Sequence, residues 1–183
     1  RDGFLEIRKD YNAGQKDPMR FYALICYAFN NQIRFNNSGE YNMPFGKNRS
    51  SFNPTLRQKF IDFTKAIHEK DCRFLHNSFE DFNFKMLGKE DFVYCDPPYL
   101  NSIATYENGG WTEENEKQLL GILDDLNSRS IRFALSNNLK YENPILDKWK
   151  DKYKIHYLIG DYSNCNYQKI DKSEDIEVLI TNY

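Results

Sequence analysis

Apolar positions along the 183-residue chain follow helical and extended spacings that divide it into two parts. In the first part, Phe21, Leu24, Ile25 and Ala28 stand at i, i+3, i+4 and i+7 behind Asp17-Pro18, an N-cap with a proline in the first turn. This spacing predicts a helix that ends near Phe29-Asn30-Asn31. Ile33 to Asn36, the turn cluster Asn37-Ser38-Gly39 and Glu40 to Gly46 predict a β-hairpin with polar edges, whose second arm Pro44 confines to a sheet edge. Asn53-Pro54 then opens another helix through Leu56, Phe60, Phe63 and Ile67.

From residue 73 short apolar runs alternate with helical stretches. Arg73-Phe74-Leu75-His76, Phe92-Val93-Tyr94-Cys95 and Ile131 to Leu135 read as strands, followed by strands at 154–159 and 176–181. Thr112 caps a helix with Glu113 and Glu114 in its first turn and Leu119, Leu120, Leu123 and Leu126 on one face, and a further helical stretch covers 144–152. Such alternation predicts an α/β fold with a mostly parallel sheet covered on both faces. The last two strands have no helix between them, so the final one is expected to run antiparallel.

Charge sharpens this division. Residues 1–55 carry eight Lys+Arg and five Asp+Glu, whereas residues 56–183 carry seventeen and twenty-two, and between residues 20 and 55 Glu40 is the only acid. A basic segment joined to an acidic body suits a local nucleic-acid contact, because phosphate neutralisation needs a patch and not a basic whole; an unevenly charged solvated surface is the plainer alternative. The 29 aromatic residues provide ample core material. Cys26, Cys72, Cys95 and Cys165 form no Cys-x-x-Cys pair and have no paired histidines nearby, so neither zinc nor a disulfide framework is expected. With no apolar run near the roughly 20 residues of a membrane helix and no leader pattern, a soluble, cytoplasmic protein is expected.

Ligands of open α/β sheets sit at the carboxyl ends of strands. That rule singles out Asp96-Pro97-Pro98-Tyr99, which follows the run Phe92 to Cys95 directly. Each proline fixes its own φ near −65° and biases the residue before it to an extended form, so the Asp96 carboxylate and the Pro97 carbonyl are presented together beside the Tyr99 ring. An exocyclic amine on a nucleobase is a poor nucleophile because its lone pair is conjugated. Accepting both amine hydrogens on Asp96 and Pro97 would turn the nitrogen toward tetrahedral geometry while Tyr99 stacks on the base. A bare Asp-Pro-Pro-Tyr is more often a stiff turn; its place after an apolar strand favours the site.

These residues resemble the catalytic motif of adenine-specific DNA methyltransferases, and Arg34 to Gly46 resembles the recognition hairpin of their Dam-like, DpnII-type branch. Ser136-Asn137 and the terminal run Glu177 to Tyr183 match as well. The resemblance implies a target-recognition domain at 1–55, with helices and the hairpin, and the catalytic half of a partial Rossmann-like methyltransferase domain at 56–183. It further implies S-adenosylmethionine as methyl donor, double-stranded DNA as partner and no metal, with Asp96, Pro97, Pro98 and Tyr99 holding a flipped adenine and Asp96 lying beside the cofactor's methionine part. Asn30, Arg34, Pro44 and Lys47 match DNA-contacting positions, and Asn48 and Arg49, which follow Lys47, are further DNA-binding candidates. Arg34 is the side chain suited to reading guanine by two hydrogen bonds.

Asn77-Ser78-Phe79 follows another predicted strand, so Ser78 and Phe79 are candidates for the cofactor's adenine pocket; a polar connecting loop is an equal alternative. Tyr106 and Trp111 flank Gly109-Gly110 and either clamp the base or pack back on the sheet. Tyr162 to Tyr167 resembles the family's final DNA-facing loop. The family's glycine-rich cofactor loop has no counterpart among the nine glycines, so the chain is expected to lack the N-terminal cofactor-binding part and to methylate little alone. A non-catalytic DNA-binding remnant, or methylation of cytosine or RNA amines, are the rival readings.

Overall fold

A helix that the apolar pattern above does not anticipate opens the chain. In the computed structural model, which describes residues 1–48, 50–102, 111–158 and 176–183, helix α1 spans Asp2–Asn12 and buries Phe4 and Tyr11. Helix α2, Pro18–Tyr27, begins where the Asp17 carboxylate accepts the Arg20 N–H at 2.9 Å. It ends ahead of Asn30 and Asn31, whose positive φ values of 52° and 55° no helix accommodates. Helix α3, Pro54–Glu69, is capped by Asn53 and rests Phe60 against Tyr22, with ring centroids 4.9 Å apart. These elements lie in one compact unit, Arg1–Leu75, and the second unit is His76–Tyr183. The division falls beyond α3, whereas the step in charge falls before it.

The predicted hairpin takes the form of a loop with two isolated antiparallel bridges, Phe35 with Tyr41 and Ala28 with Phe45, and no strand ladder. Side chains of α1 occupy the backbone groups that a ladder would use. Asn12 accepts the Tyr41 N–H at 2.9 Å and donates to the Tyr41 carbonyl at 3.1 Å, and Arg8 donates to the Met43 carbonyl at 2.9 Å. Tyr41 is fully buried among Tyr11, Phe21 and Phe35, donates its hydroxyl to the Gln32 carbonyl, and has its phenol pushed up to about 12 by burial. Gly46 closes the loop against the end of α2: its N–H donates to the Tyr27 carbonyl at 2.8 Å, and a Cβ there would meet the Ala28 carbonyl oxygen at 2.7 Å. The Ser50 hydroxyl, 2.9 Å away, can turn aside, but the Ala28 backbone cannot. Gly46→Ala is therefore expected to lower the unfolding free energy by about 1–3 kcal/mol, read as a fall in denaturant midpoint.

In the second unit, strands β1 (Phe92–Cys95), β2 (Arg132–Asn138), β3 (Lys154–Leu158) and β4 (Glu177–Thr181) form one sheet in the order β1-β2-β4-β3. β1 pairs parallel with β2, and β4 lies antiparallel between β2 and β3, the direction the sequence pattern predicts for the final strand. Helices α4 (Glu113–Ser128) and α5 (Pro144–Lys150) cover one face. Leu119, Leu120, Leu123 and Leu126 of α4 form one core with Phe133 and Leu135 of β2 and Val178 and Ile180 of β4. Fully burying each such side chain stabilises the fold by about 1.5–3 kcal/mol.

Within the second unit α4 and α5 lie on one face, and Phe92, Tyr94 and Leu158, which share the other face by register, are exposed. One expectation is corrected here. Arg73–His76 is no strand, and Phe74 and Leu75 stand 75% and 67% exposed. A short extended run becomes a strand only when a neighbour takes its N–H and C=O groups, and alternation in sequence cannot supply that neighbour.

Candidate active site

The register of the sheet brings the polar residues together. Cys95 of β1 pairs with Leu135 of β2, so Asp96, one residue beyond the strand, comes level with Ser136 and on its side of the sheet. The Ser136 hydroxyl donates to Asp96 Oδ1 at 2.6 Å. Asn138, two residues on and hence on the same face, pairs in register with Glu177 of β4 and donates its amide to Glu177 Oε1 at 3.0 Å. Four polar side chains thus gather at the carboxyl ends of β1 and β2, on the face opposite α4 and α5.

Tyr99 completes the cluster from the loop after β1. Its hydroxyl lies 3.2 Å from Glu177 Oε2, its ring lies 6.4 Å from that of Tyr141, and its carbonyl accepts the Ser102 hydroxyl at 2.6 Å. Desolvation, followed by the negative charges of Glu177 and Asp96, pushes its phenol well above the usual range, so Tyr99 stands protonated and donates. Leu100 is buried and Asn101 donates to the Glu142 carbonyl at 2.7 Å, which fixes the loop at its far end. No described residue donates to Asp96 Oδ2 or to the Pro97 carbonyl. Asp96 is exposed, and Pro97, Pro98 and Tyr99 are half-buried, so both acceptors can be reached by a ligand. Cys95, just before them, is no candidate nucleophile, since burial pushes its thiol up to about 11.

A buried carboxylate holds the ground beside this loop. Glu116 of α4 is 1% exposed; it accepts the Trp111 indole N–H on one oxygen and the Asn143 amide, at 2.8 Å, on the other. Trp111 packs back on Phe79 at 5.5 Å and on the core, which decides between the two roles the sequence leaves open for it. Tyr106, Gly109, Gly110 and the run Tyr162–Tyr167 lie outside the described residues. Ser78 caps the short turn Phe79–Asp81 and Phe79 is half-buried against Trp111, so neither is brought to Asp96 by a contact among the described residues. No group of three or more potential metal ligands occurs among the described residues, and no helix among them is long and apolar enough to cross a membrane.

The candidate DNA-contacting residues all belong to the first unit. Asn30 stands in the left-handed region after α2, and Pro44, Lys47 and Asn48 are exposed, Asn48 with φ 62°. Arg34 is exposed but held: its Nε donates to Asn42 Oδ1 at 2.7 Å and one Nη to the Asn42 carbonyl at 3.1 Å. Those bonds use one side of the guanidinium and leave its end-on pair of N–H groups pointing away. Arg49 lies outside the described residues. Sequence reasoning matched Ser136 and Glu177 to the family without giving either a role, and missed Asn138 and Glu116. The one available signal was an acid opening the otherwise apolar run Val178 to Ile180.

Known proteins share this arrangement of sequence. The chain is 47% identical over its whole length to the type II methyltransferase M.FokI of Planomicrobium okeanokoites, of which it covers 29%. It is 38% identical to the modification methylase StsI of Streptococcus sanguinis, again over its whole length and 29% of that protein. Over 85% of the chain and 56% of the relative it is 28% identical to the DNA adenine methylase of Escherichia coli strain K12. The chain thus spans less than a third of the first two relatives. A family model described as D12 class N6 adenine-specific DNA methyltransferase matches residues 1–164, and the chain belongs to that family.

Proposed function

We propose that this chain supplies target recognition and amine binding to an enzyme that methylates the exocyclic amine of an adenine flipped out of duplex DNA. The observation that carries this reading is Asp96, anchored through one oxygen by Ser136 while its second oxygen and the Pro97 carbonyl, beside Tyr99, take no donor among the described residues. The Ser136 hydrogen bond fixes the rotation of the carboxylate. Two acceptors then face one amine and accept both of its hydrogens, which draws the lone pair out of conjugation. The Tyr99 ring takes the face of the base, and extrusion from the stack is what lets the amine reach them. Three of the sheet's strands share one direction, with β4 reversed among them, and this supports reading the second unit as half of a Rossmann-like methyltransferase sheet.

The methyl donor that this reading implies is S-adenosylmethionine, which would supply an electrophilic methyl group. The described residues meet it only in part. Phe79 and the exposed Ser78 are our candidates for its adenine side, but Ser78 is engaged in capping its own turn, and no described strand end offers a glycine-lined backbone cradle for the amino-acid and ribose parts. The steps assigned to this chain are therefore binding, orienting and polarising the amine. Asn30, Arg34, Pro44, Lys47 and Asn48 are assigned to duplex DNA, with Arg49 beside them. The names of the relatives favour a role in modification alongside restriction.

Labelled S-adenosylmethionine, duplex DNA and the full-length protein test the assignment directly. Hydrolysed DNA is expected to carry the label in N6-methyladenine. Label in N4-methylcytosine, preference for RNA, or a footprint on DNA with no label would each replace this reading by one of its rivals.

A further inference from the structure

Glu177 stands outside the Asp96–Tyr99 motif in sequence, yet it is the residue to which the tyrosine of that motif is tied. We infer that Glu177 is a positioning residue for the Tyr99 ring, acting through the phenol hydrogen bond, and that Asn138 holds it in place for that task. The inference rests on the function proposed above, in which Tyr99 stacks on the target base.

The geometry leaves little choice of partner. Glu177 and Asn138 face each other across the β2–β4 ladder, and the Asn138 amide takes Glu177 Oε1 at 3.0 Å, which turns Oε2 toward the loop after β1. Tyr99 meets that oxygen at 3.2 Å across 78 residues of sequence. A tyrosine ring on a loop can swing about its first two side-chain torsions, and the Tyr141 ring, 6.4 Å away, restrains one side of it. Tethering the hydroxyl adds a second fixed point at the far end of the ring. The ring plane is then set relative to Asp96, because both ends of the network lie in the same sheet face: Asp96 on Ser136, and Tyr99 on Glu177. A base stacked on that ring has its amine placed with respect to the two acceptors, and positioning errors of about 1 Å at a reacting centre cost on the order of 100-fold in rate.

Glu177→Gln is a severe change at this point despite its shape. The carboxamide has one acceptor oxygen, and while Asn138 takes it the amide N–H faces the Tyr99 oxygen, so the charge-assisted bond from the phenol to a carboxylate is replaced by a weaker neutral one of reversed direction. Tyr99→Phe deletes the tether and keeps the ring. In the full-length protein, each variant is expected to lower kcat by about 10- to 100-fold with little change in KM for duplex DNA. The double variant is expected to fall no further than the worse single variant, since both remove one interaction. With 2-aminopurine at the target position, both variants are expected to flip the base and to show a quenching by the residue-99 ring that differs from the parent's.

Full activity in Tyr99→Phe overturns the inference, as does a double variant whose loss equals the product of the single losses. That second result would give Glu177 a separate structural role. Should Glu177→Gln fail to fold, Tyr99→Phe alone decides. A parent protein that transfers no methyl group to any duplex overturns the proposed function and this inference with it, whereas an active parent with an unaffected Tyr99→Phe variant overturns the inference alone.

Discussion

Replacing Asp96 by alanine is expected to lower methyl transfer by the full-length protein about 1,000-fold or more while duplex binding stays unchanged. The size follows from what the residue holds. Its Oδ1 is held by Ser136 at 2.6 Å, so Oδ2 is the oxygen left to meet the amine. Alanine removes that oxygen and leaves the Pro97 carbonyl as the lone acceptor, which can take one amine hydrogen but cannot draw the nitrogen out of plane by itself. The DNA-contacting candidates lie in the other unit, so affinity should not follow. Asparagine is expected to lose as much as alanine, because Ser136 would hold the amide oxygen and turn an N–H donor toward the amine hydrogens. Single-turnover methylation and an electrophoretic shift assay on the same duplex measure the two quantities separately. Parent-like turnover in the alanine variant would remove the mechanism, and a matching loss of DNA affinity would make Asp96 a structural residue.

The largest expected loss of stability belongs to Phe133→Ala, at about 3–5 kcal/mol. Phe133 is 0% exposed on the covered face of β2, with Tyr153 edge-on at 5.1 Å and Trp149 at 6.0 Å, and its N–H donates to Asn182 at 2.8 Å. Truncation leaves a cavity between a strand and α5 that neither can close, since β2 is held by ladders on both sides. Urea unfolding of the full-length protein, followed by the fluorescence of the adjacent Trp149, reads the change. A loss below about 1 kcal/mol would mean that the neighbouring rings collapse into the space.

Most of the second unit was legible in the sequence because its signals are local. The four leucines of α4, the Thr112 cap and the apolar runs at β1 and β2 follow from periodicity and end chemistry. Asp96 to Tyr99 could be found because the prolines restrict their own backbone. What stayed hidden depends on pairing. Arg73–His76 has the composition of a strand and lacks a partner, and the residues 33–46 form a loop because Asn12 and Arg8 of α1 take their backbone groups. α1 itself was overlooked although Phe4, Ile7 and Tyr11 stand at helical spacing. Glu177 could not be tied to Tyr99 without the β2–β4 register, which no spacing in the chain encodes.

The Asn42 clamp on Arg34 has a consequence for how the first unit would meet a duplex. A free arginine side chain loses close to 2 kcal/mol of rotamer entropy when it is fixed on a base. Arg34 gives up much of that freedom when the protein folds, with two of its N–H groups already engaged. The penalty then falls on folding and not on each encounter with DNA, so a guanine presented to the end-on pair would meet a fork already aimed. Wrong bases gain nothing from this stiffness, because a clamped guanidinium cannot rearrange to find an alternative acceptor. Preorganisation of this kind sharpens discrimination along with affinity, and Asn42, which need touch no base, would be its source.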